Sequence, residues 1–184
     1  MDVTRSSNNG STPMRIACDY GHSEIAQWLY AHGAALDVMR PGNTGTTPML
    51  VACEKGHLEI MQWIHAHGAA MDVIRPDNNG TTPMLIACEK GHLEIMQWLH
   101  AHGAAMHVTR SDNKNNGTTP LFIACGNGNF EIVQWLYGHG AAMDVKRPDN
   151  NGYTPMFMAP RTWCCLRRHA TGQRYWTNPN VSRV

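Results

Sequence analysis

The sequence predicts an all-α solenoid of stacked helix–turn–helix units with hairpin-like finger loops. First, a Thr-Pro pair recurs five times, with spacings of 35, 35, 37 and 35 residues. Second, the same order follows each of the first four pairs: Ala-Cys, Glu-Ile, Gln-Trp and His-Gly-Ala-Ala. Third, segments 56–71 and 91–106 differ only in Ile64 against Leu99. Such units bury their apolar faces only against neighbours, so we predict four full units and part of a fifth over residues 1–159.

Each unit begins with a helix that the Thr-Pro pair starts. In the third unit, the hydroxyl of Thr82 can cap the helix, and Pro83 suits the first helical position because it has no N–H to lose. The run 84–88 is apolar without a polar break, which predicts a helix covered on several sides. Gly91 ends it, as glycine commonly does just beyond a helix.

A second helix follows within the same unit. Ile95, Trp98, Leu99 and His102 are spaced at i, i+3, i+4 and i+7, which places them on one helical face. Gly103 ends this helix. We interpret the tryptophan of this face as a core residue rather than as part of a ligand-binding aromatic strip. The equivalent residues are Trp28, Trp63, Trp98 and Trp135.

A polar loop connects each unit to the next. The alternation of Met106 and Val108, followed by an Asp/Asn/Gly cluster up to Gly117, predicts a hairpin-like finger. The two extra residues before the fourth unit fall within the polar stretch 111–117, where an insertion costs little.

This order of residues resembles the ankyrin repeat. The pattern G-T-T-P-M-L-x-A-C-E-K-G-H-L-E-I-x-Q-W-x-H-A-H-G-A-A-M-D-V recurs in order four times, and the resemblance covers about residues 1–159. The period of that family is about 33 residues, so the longer period here implies longer finger loops. The histidine of the family's T-P-L-H motif is missing, which implies more apolar packing at that position. The residues found there are Arg15, Leu50, Leu85, Phe122 and Phe157.

The resemblance implies a non-catalytic module that binds a protein partner of unknown identity through its concave face and finger loops. The finger positions carried over are Arg40, Arg75, Asp77, Arg110, Asp112, Lys114, Arg147 and Asp149. The positions at the ends of the first helices are Asp19, Tyr20, Glu54, Lys55, Glu89, Lys90 and Asn127. The residues before the Thr-Pro pairs also belong to this surface: Ser11, Thr46, Thr81, Thr118 and Tyr153.

Two interpretations of the finger arginines remain open. A guanidinium group can make bidentate contacts with the carboxylates of a partner. It can equally pair with a neighbouring Asp of its own finger, an interaction that contributes little at an exposed site.

The spacing of the cysteines does not indicate a disulfide framework. Stacked helices lie about 8–10 Å apart, which is too far for a disulfide between equivalent positions. We therefore predict that the four repeated cysteines are small core residues; they are Cys18, Cys53, Cys88 and Cys125. Cys164 and Cys165 lie outside the repeat, and we expect them to be exposed.

The histidines do not form a convincing metal site. His65 and His67 do not face each other at a spacing of i, i+2, and equivalent histidines of successive units are too far apart to share a zinc ion. We interpret one set as helix-end residues beside the last carbonyl groups: His32, His67, His102 and His139. No cofactor is predicted.

Charge and composition favour neither nucleic acid nor a membrane as the partner of the array. The formal net charge is +1, and no apolar run approaches the roughly 18 residues of a membrane span. The N-terminus lacks the pattern of a signal peptide, so we expect a cytoplasmic protein, with the nucleus as the alternative. No nucleophile–base pair has a persuasive spacing, so we predict that the chain is not an enzyme.

Both ends depart from the repeat. Residues 1–5 match the finger of a unit already under way, so we expect a first unit that frays or a fragment of a longer array. Pro160 stands where a helical Cys is expected. Residues 160–184 form a basic tail with five Arg and no acidic residue. We interpret this tail as disordered or as repeat DNA read out of frame, because codons for Thr-Trp-Cys-Cys, shifted by one base, can encode His-Gly-Ala-Ala.

Two other hypotheses for the function remain beside the binding module. The chain could be a truncated or frameshifted fragment of a longer ankyrin array, or an accessory module of a larger enzyme. We expect a monomer, with self-association through an uncapped C-terminal repeat as the alternative.

Overall fold

The computed structural model describes residues 3–109, 111 and 116–158 of the chain. These residues are largely helical and contain no β-strand. In chain order the α-helices are α1 (Pro13–Asp19), α2 (Ser23–Leu29), α3 (Pro48–Lys55), α4 (Leu58–Ile64), α5 (Pro83–Lys90), α6 (Leu93–Leu99), α7 (Pro120–Asn127), α8 (Phe130–Gly138) and α9 (Pro155–Met158). The odd-numbered helices are the first helices of their units, and the even-numbered helices are the second helices.

The first helices begin as the Thr-Pro pairs predict. The Oγ1 atom of Thr82 accepts a hydrogen bond from the N–H of Leu85 at 3.4 Å, and Pro83 is the first residue of α5. The helix ends at Gly91, whose φ of +82° would strain any residue with a Cβ atom. The same capping bond, 3.2 Å long, is made by Thr12, Thr47 and Thr119.

The second helices turn an apolar side toward the first helices. In α6, the buried residues are Ile95, Met96 and Leu99. Beyond α6 the chain leaves the helical path at His102 and Gly103, and the φ of Gly103 is +109°. A short 3₁₀ turn then leads into the finger. These turns are Ala35–Val38, Ala70–Val73, Ala105–Val108 and Ala141–Lys146.

The fingers are hairpin-like only at their tips. Met106 and Val108 themselves precede the hairpin-like part, because both lie in a 3₁₀ turn that buries Val108 and exposes Met106. Farther along the finger, the N–H of Asp77 donates to the carbonyl of Thr81 at 3.0 Å and closes a narrow turn. Neighbouring fingers are also joined, since the N–H of Asn78 donates to the carbonyl of Thr44 at 3.0 Å.

Stacking of the units places the first helices on the inner side of the array. Consecutive first helices contact each other extensively, whereas consecutive second helices make few contacts. The inner elements of a curved stack lie closest together, so the first helices form the concave face. The core runs without interruption between the two rows of helices. In four successive units the residue after the Thr-Pro pair is at most 1 % exposed: Met14, Met49, Met84 and Leu121.

Candidate protein-binding surface

The seven predicted residues at the ends of the first helices lie in one row. They occupy equivalent places at the C-terminal ends of α1, α3, α5 and α7, and none of them is buried. Lys55 Nζ lies 3.5 Å from Asp19 Oδ1 in the preceding unit, so the row is continuous across units. At the first unit, the Tyr20 side chain is 66 % exposed.

Charges of two units meet around Lys90. Its Nζ lies 2.8 Å from Glu89 Oε1. The hydrogen bond to Glu89 raises the pKa of Lys90, and the charges of Glu89 and Glu54 add to that effect. The pair is exposed, so it contributes little to stability and its groups remain available to a partner.

The position of the missing T-P-L-H histidine is apolar and buried in the middle of the array. Leu50, Leu85 and Phe122 are between 1 % and 8 % exposed, which confirms the expected apolar packing there. The two outer units differ. Arg15 donates a hydrogen bond to Ser11 Oγ, and Phe157 is 68 % exposed and stacks on Tyr153 with ring centroids 5.3 Å apart.

The described finger arginines are paired with a buried aspartate three residues earlier. The distances are 3.6 Å for Arg40–Asp37, 3.5 Å for Arg75–Asp72 and 3.7 Å for Arg147–Asp144. The arginine side chains remain about half exposed. The structure thus contains the local pairs, and it leaves part of each guanidinium group accessible.

Burial is the largest influence on the pKa of two of the paired aspartates, Asp72 and Asp144. It raises the pKa of Asp72, and the charge and hydrogen bond of Arg75 only partly oppose this shift. The pKa of Asp144 is raised by the same cause, against the effect of Arg147. In both carboxylates the Oδ2 atom is buried and has no hydrogen-bond partner among the described residues.

Two of these arginines also donate hydrogen bonds to the preceding unit. Arg75 Nη1 donates to the carbonyl of Met39 at 3.4 Å. Arg147 donates to the carbonyl of Thr109 and to Ser111 Oγ, each at 3.1 Å. These arginines therefore fix the path of the finger as well as facing solvent.

The aspartates at the finger tips form the turns themselves. Asp77 Oδ1 accepts hydrogen bonds from the N–H groups of Asn79 and Thr81, both at 2.9 Å. Asp149 Oδ1 does the same for Asn151 and Tyr153. Three other predicted finger residues, Arg110, Asp112 and Lys114, lie outside the described residues, as do Cys164, Cys165 and the tail.

Sequence reasoning missed a set of bonds that holds the row of helix ends in place. His57 Nε2 lies 3.3 Å from the carbonyl oxygen of Asp19, and His92 Nε2 lies 3.2 Å from that of Glu54. A carbonyl oxygen only accepts, so the ring nitrogen donates in each pair. Asn129 Nδ2 donates to the equivalent carbonyl, that of Glu89, at 3.2 Å, and also to the carbonyl of Cys88 at 2.7 Å. The sequence feature that could have predicted these bonds is the Gly-His or Gly-Asn pair repeated before each second helix.

The tryptophans lie at the edge of the core and not inside it, so the prediction is corrected for Trp28, whereas Trp63, Trp98 and Trp135 do pack against the core. Trp28 is 49 % exposed, and the other three are partly buried at the margin of the core. Each lies on the outer face and stacks on the histidine four residues later. That histidine's Nδ1 lies 2.7–2.8 Å from the tryptophan carbonyl oxygen, so the helix-end interpretation of these histidines is confirmed. The repeated spacing of four residues between tryptophan and histidine is the sequence feature that could have predicted this stacking.

The four repeated cysteines are buried free thiols, as predicted. Burial raises the pKa of Cys18 to about 12 and that of Cys125 to about 11, and it raises the pKa of Cys53 and Cys88 further. Such thiols are poor nucleophiles. Among the described residues, no group of three or more His, Cys, Asp or Glu is arranged to hold a metal ion. No helix in the same ranges is long and apolar enough to cross a membrane.

Comparison with known families agrees with the repeat and its geometry. A family described as ankyrin repeats in three copies matches residues 36–110, and one described as ankyrin repeats in many copies matches residues 86–137. A single ankyrin repeat matches residues 9–38, so the matches run from residue 9 to residue 137. No curated protein matches the sequence. The chain belongs to the ankyrin repeat family.

Proposed function

We propose that this array is a non-catalytic module that binds a protein partner through its concave face and finger loops. Ankyrin repeats generally are protein–protein interaction modules. The observation that carries the proposal is the row of helix ends, in which polar side chains of four successive units are accessible on one face.

The row suits a partner that contacts several units at once. Capped helices and the bonds of His57 and His92 hold it in place, so a partner would not have to order it on binding. The mixed charges around Lys55 and Lys90 supply both donors and acceptors. Each contact is modest at an exposed site, and affinity would come from many of them together.

The finger arginines would act differently from the helix ends. Arg75 and Arg147 already bond to their own aspartate and to the preceding unit. Their first role in this proposal is to position the finger tips, and their exposed half adds contacts with the partner. Removing them would therefore impair binding partly through the shape of the finger.

The test is a crosslinking pull-down with the full chain as bait. One variant carries Lys55→Ala, Glu89→Ala and Lys90→Ala in the row of helix ends. The matched control carries Glu59→Ala, Glu94→Ala and Gln97→Ala, which replace exposed residues of α4 and α6. We expect the control to retain the partner that the natural chain captures, and the first variant to lose it.

A third bait, with Arg40, Arg75, Arg110 and Arg147 changed to Ala, measures the contribution of the fingers. Circular dichroism establishes that each bait is folded. Equal capture by all folded baits would exclude the concave face and the fingers as the binding surface. If no folded bait captures a partner, the proposed binding function is wrong.

A further inference from the structure

The outer face of the array carries aromatic rings that join consecutive units. In each full unit the tryptophan and the histidine four residues later are stacked, with ring centroids 3.8–4.4 Å apart. In the second, third and fourth units, a ring from the preceding unit packs edge-on against this stack. We call these contacts the outer joints: the first is Tyr30 on Trp63–His67, the second His65 on Trp98–His102, and the third His100 on Trp135–His139.

The second and third outer joints each bring two imidazole rings together. The ring centroids of His65 and His102 are 5.3 Å apart, and those of His100 and His139 are 5.6 Å apart. The first outer joint has the phenol ring of Tyr30 in the corresponding place. Two protonated imidazoles at such a distance repel each other, whereas a neutral phenol does not repel an imidazolium ion.

One ring of each imidazole pair is hydrogen-bonded through Nδ1 to a backbone carbonyl. The Nδ1–H groups of His102 and His139 donate to the carbonyls of Trp98 and Trp135 at 2.8 and 2.7 Å, and protonation of the ring preserves these bonds. Both rings also lie on the face of their tryptophan, which attracts a cation. In acid, the facing histidine therefore meets a positive charge.

No described carboxylate is paired with the histidines of the second and third outer joints. Within residues 3–109, 111 and 116–158, no Asp or Glu forms an ion pair with His65, His100, His102 or His139. The His65 ring faces Trp98 and His102, and the His100 ring faces Trp135 and His139.

The pKa of His65 is lowered, which is the direction that this geometry requires. Burial lowers its pKa, and the charge of His102 lowers it further. An opened joint restores the usual pKa of about 6.5, so the opened state binds more protons than the closed state. The stability of the joint is fully present above that pH and is lost progressively as the pH falls from there through the lowered pKa of the closed joint.

We propose that the second and third outer joints make the stacking of this array acid-sensitive. On acidification, paired imidazolium charges weaken the contacts that hold the third unit to the second and the fourth unit to the third. The first outer joint, built on Tyr30, keeps its strength. Helices α5 to α8 therefore loosen before α1 to α4.

The first experiment measures urea unfolding of the full chain at about pH 7.5 and about pH 5.5, on either side of the usual histidine pKa. The test variant carries His65→Tyr and His100→Tyr, which copy the ring of the first outer joint. The matched control is His22→Tyr, since His22 is exposed and belongs to no outer joint. We expect the unfolding midpoint of the natural chain and of the control to fall in acid, and the test variant to lose most of that fall.

Two measurements on the natural chain keep the proposal testable if the variant does not fold. In an NMR titration, we expect His65 to titrate below the usual histidine pKa of about 6.5. In hydrogen exchange at about pH 5.5, corrected for intrinsic rates, we expect α5 to α8 to lose protection ahead of α1 to α4.

Three results would overturn the proposal. The first is an equal fall of the unfolding midpoint in the natural chain and in the double tyrosine variant. The second is a His65 pKa at or above the usual value of about 6.5. The third is an acid-induced loss of protection that spreads evenly over α1 to α8.

Discussion

At the scale of single residues, each buried aspartate of the 3₁₀ turns is paired with an arginine that is about half exposed. The Asp72 side chain is 4 % exposed, whereas its partner Arg75 is 43 % exposed. Removing a carboxylate from water is unfavourable, and one half-solvated guanidinium only partly offsets this. The pair nevertheless orients the finger, because the same Arg75 reaches the carbonyl of Met39 in the preceding unit.

We predict that Arg75→Met lowers the free energy of unfolding by about 1–2 kcal/mol near neutral pH, a value reduced by solvent screening of the exposed side chain. The substitution leaves the Asp72 carboxylate buried without its counter-charge. The pKa of Asp72 is already raised, and this change raises it further. The loss should therefore shrink as the pH falls and Asp72 becomes protonated.

Urea unfolding at neutral and mildly acidic pH measures this dependence. Arg75→Lys serves as the control, because it keeps a positive charge near Asp72. An equal loss of stability at both pH values would show that the charge of Asp72 is not the cause.

At the scale of helices, caps and glycines decide where each element begins and ends. We predict that Thr82→Ala lowers the free energy of unfolding by about 1 kcal/mol, because the N–H of Leu85 loses its acceptor. Thr82→Ser should retain most of that stability, since it keeps the hydroxyl group. Chemical unfolding of the two variants checks this, and similar losses for both would assign the effect to packing of the threonine methyl group.

The glycines that end the first helices provide a matched comparison. Gly56 and Gly128 have φ values of +82° and +75°, so an alanine at either position is strained by about 1 kcal/mol. A Cβ atom at Gly56 would lie 2.9 Å from the His92 ring, whereas a Cβ atom at Gly128 meets no described atom within 4 Å. We predict that Gly56→Ala destabilises the chain more than Gly128→Ala does. Equal unfolding midpoints would show that His92 moves away freely.

At the scale of the whole molecule, each unit is stabilised mainly by its immediate neighbours. The buried residue after the Thr-Pro pair is Met14 in the first unit and Met84 in the third, and both are fully buried. We predict that Met84→Ala lowers the free energy of unfolding by about 2–5 kcal/mol through the cavity it leaves. The third unit touches neighbours on both sides, so protection from hydrogen exchange should fall throughout α3 to α8.

Met14→Ala makes the same chemical change in the first unit. In the 184-residue chain we expect its effect on hydrogen exchange to be confined largely to α1 and α2. If both variants lower protection to the same extent along the whole array, the units unfold as one cooperative block, and the nearest-neighbour description does not apply.

The sequence alone determined the repeat, the helices and the interior of the units. Thr-Pro capping, glycine helix ends and apolar runs are local features of the sequence that predict helices directly. Their recurrence in four units strengthens each of these predictions. The burial of the cysteines and of Leu50, Leu85 and Phe122 follows from the same periodicity. The helix-end row was predictable because equivalent positions of stacked units must line up.

Only the tertiary structure decided which groups meet between units. Periodicity gives the direction of a side chain within its own helix, but the partner of that side chain depends on the offset and tilt between successive units. The tryptophans therefore lie on the outer face against histidines, and His57 and His92 bond to the helix ends of the preceding units. For the same reason, the finger arginines pair with buried aspartates while also holding the preceding finger.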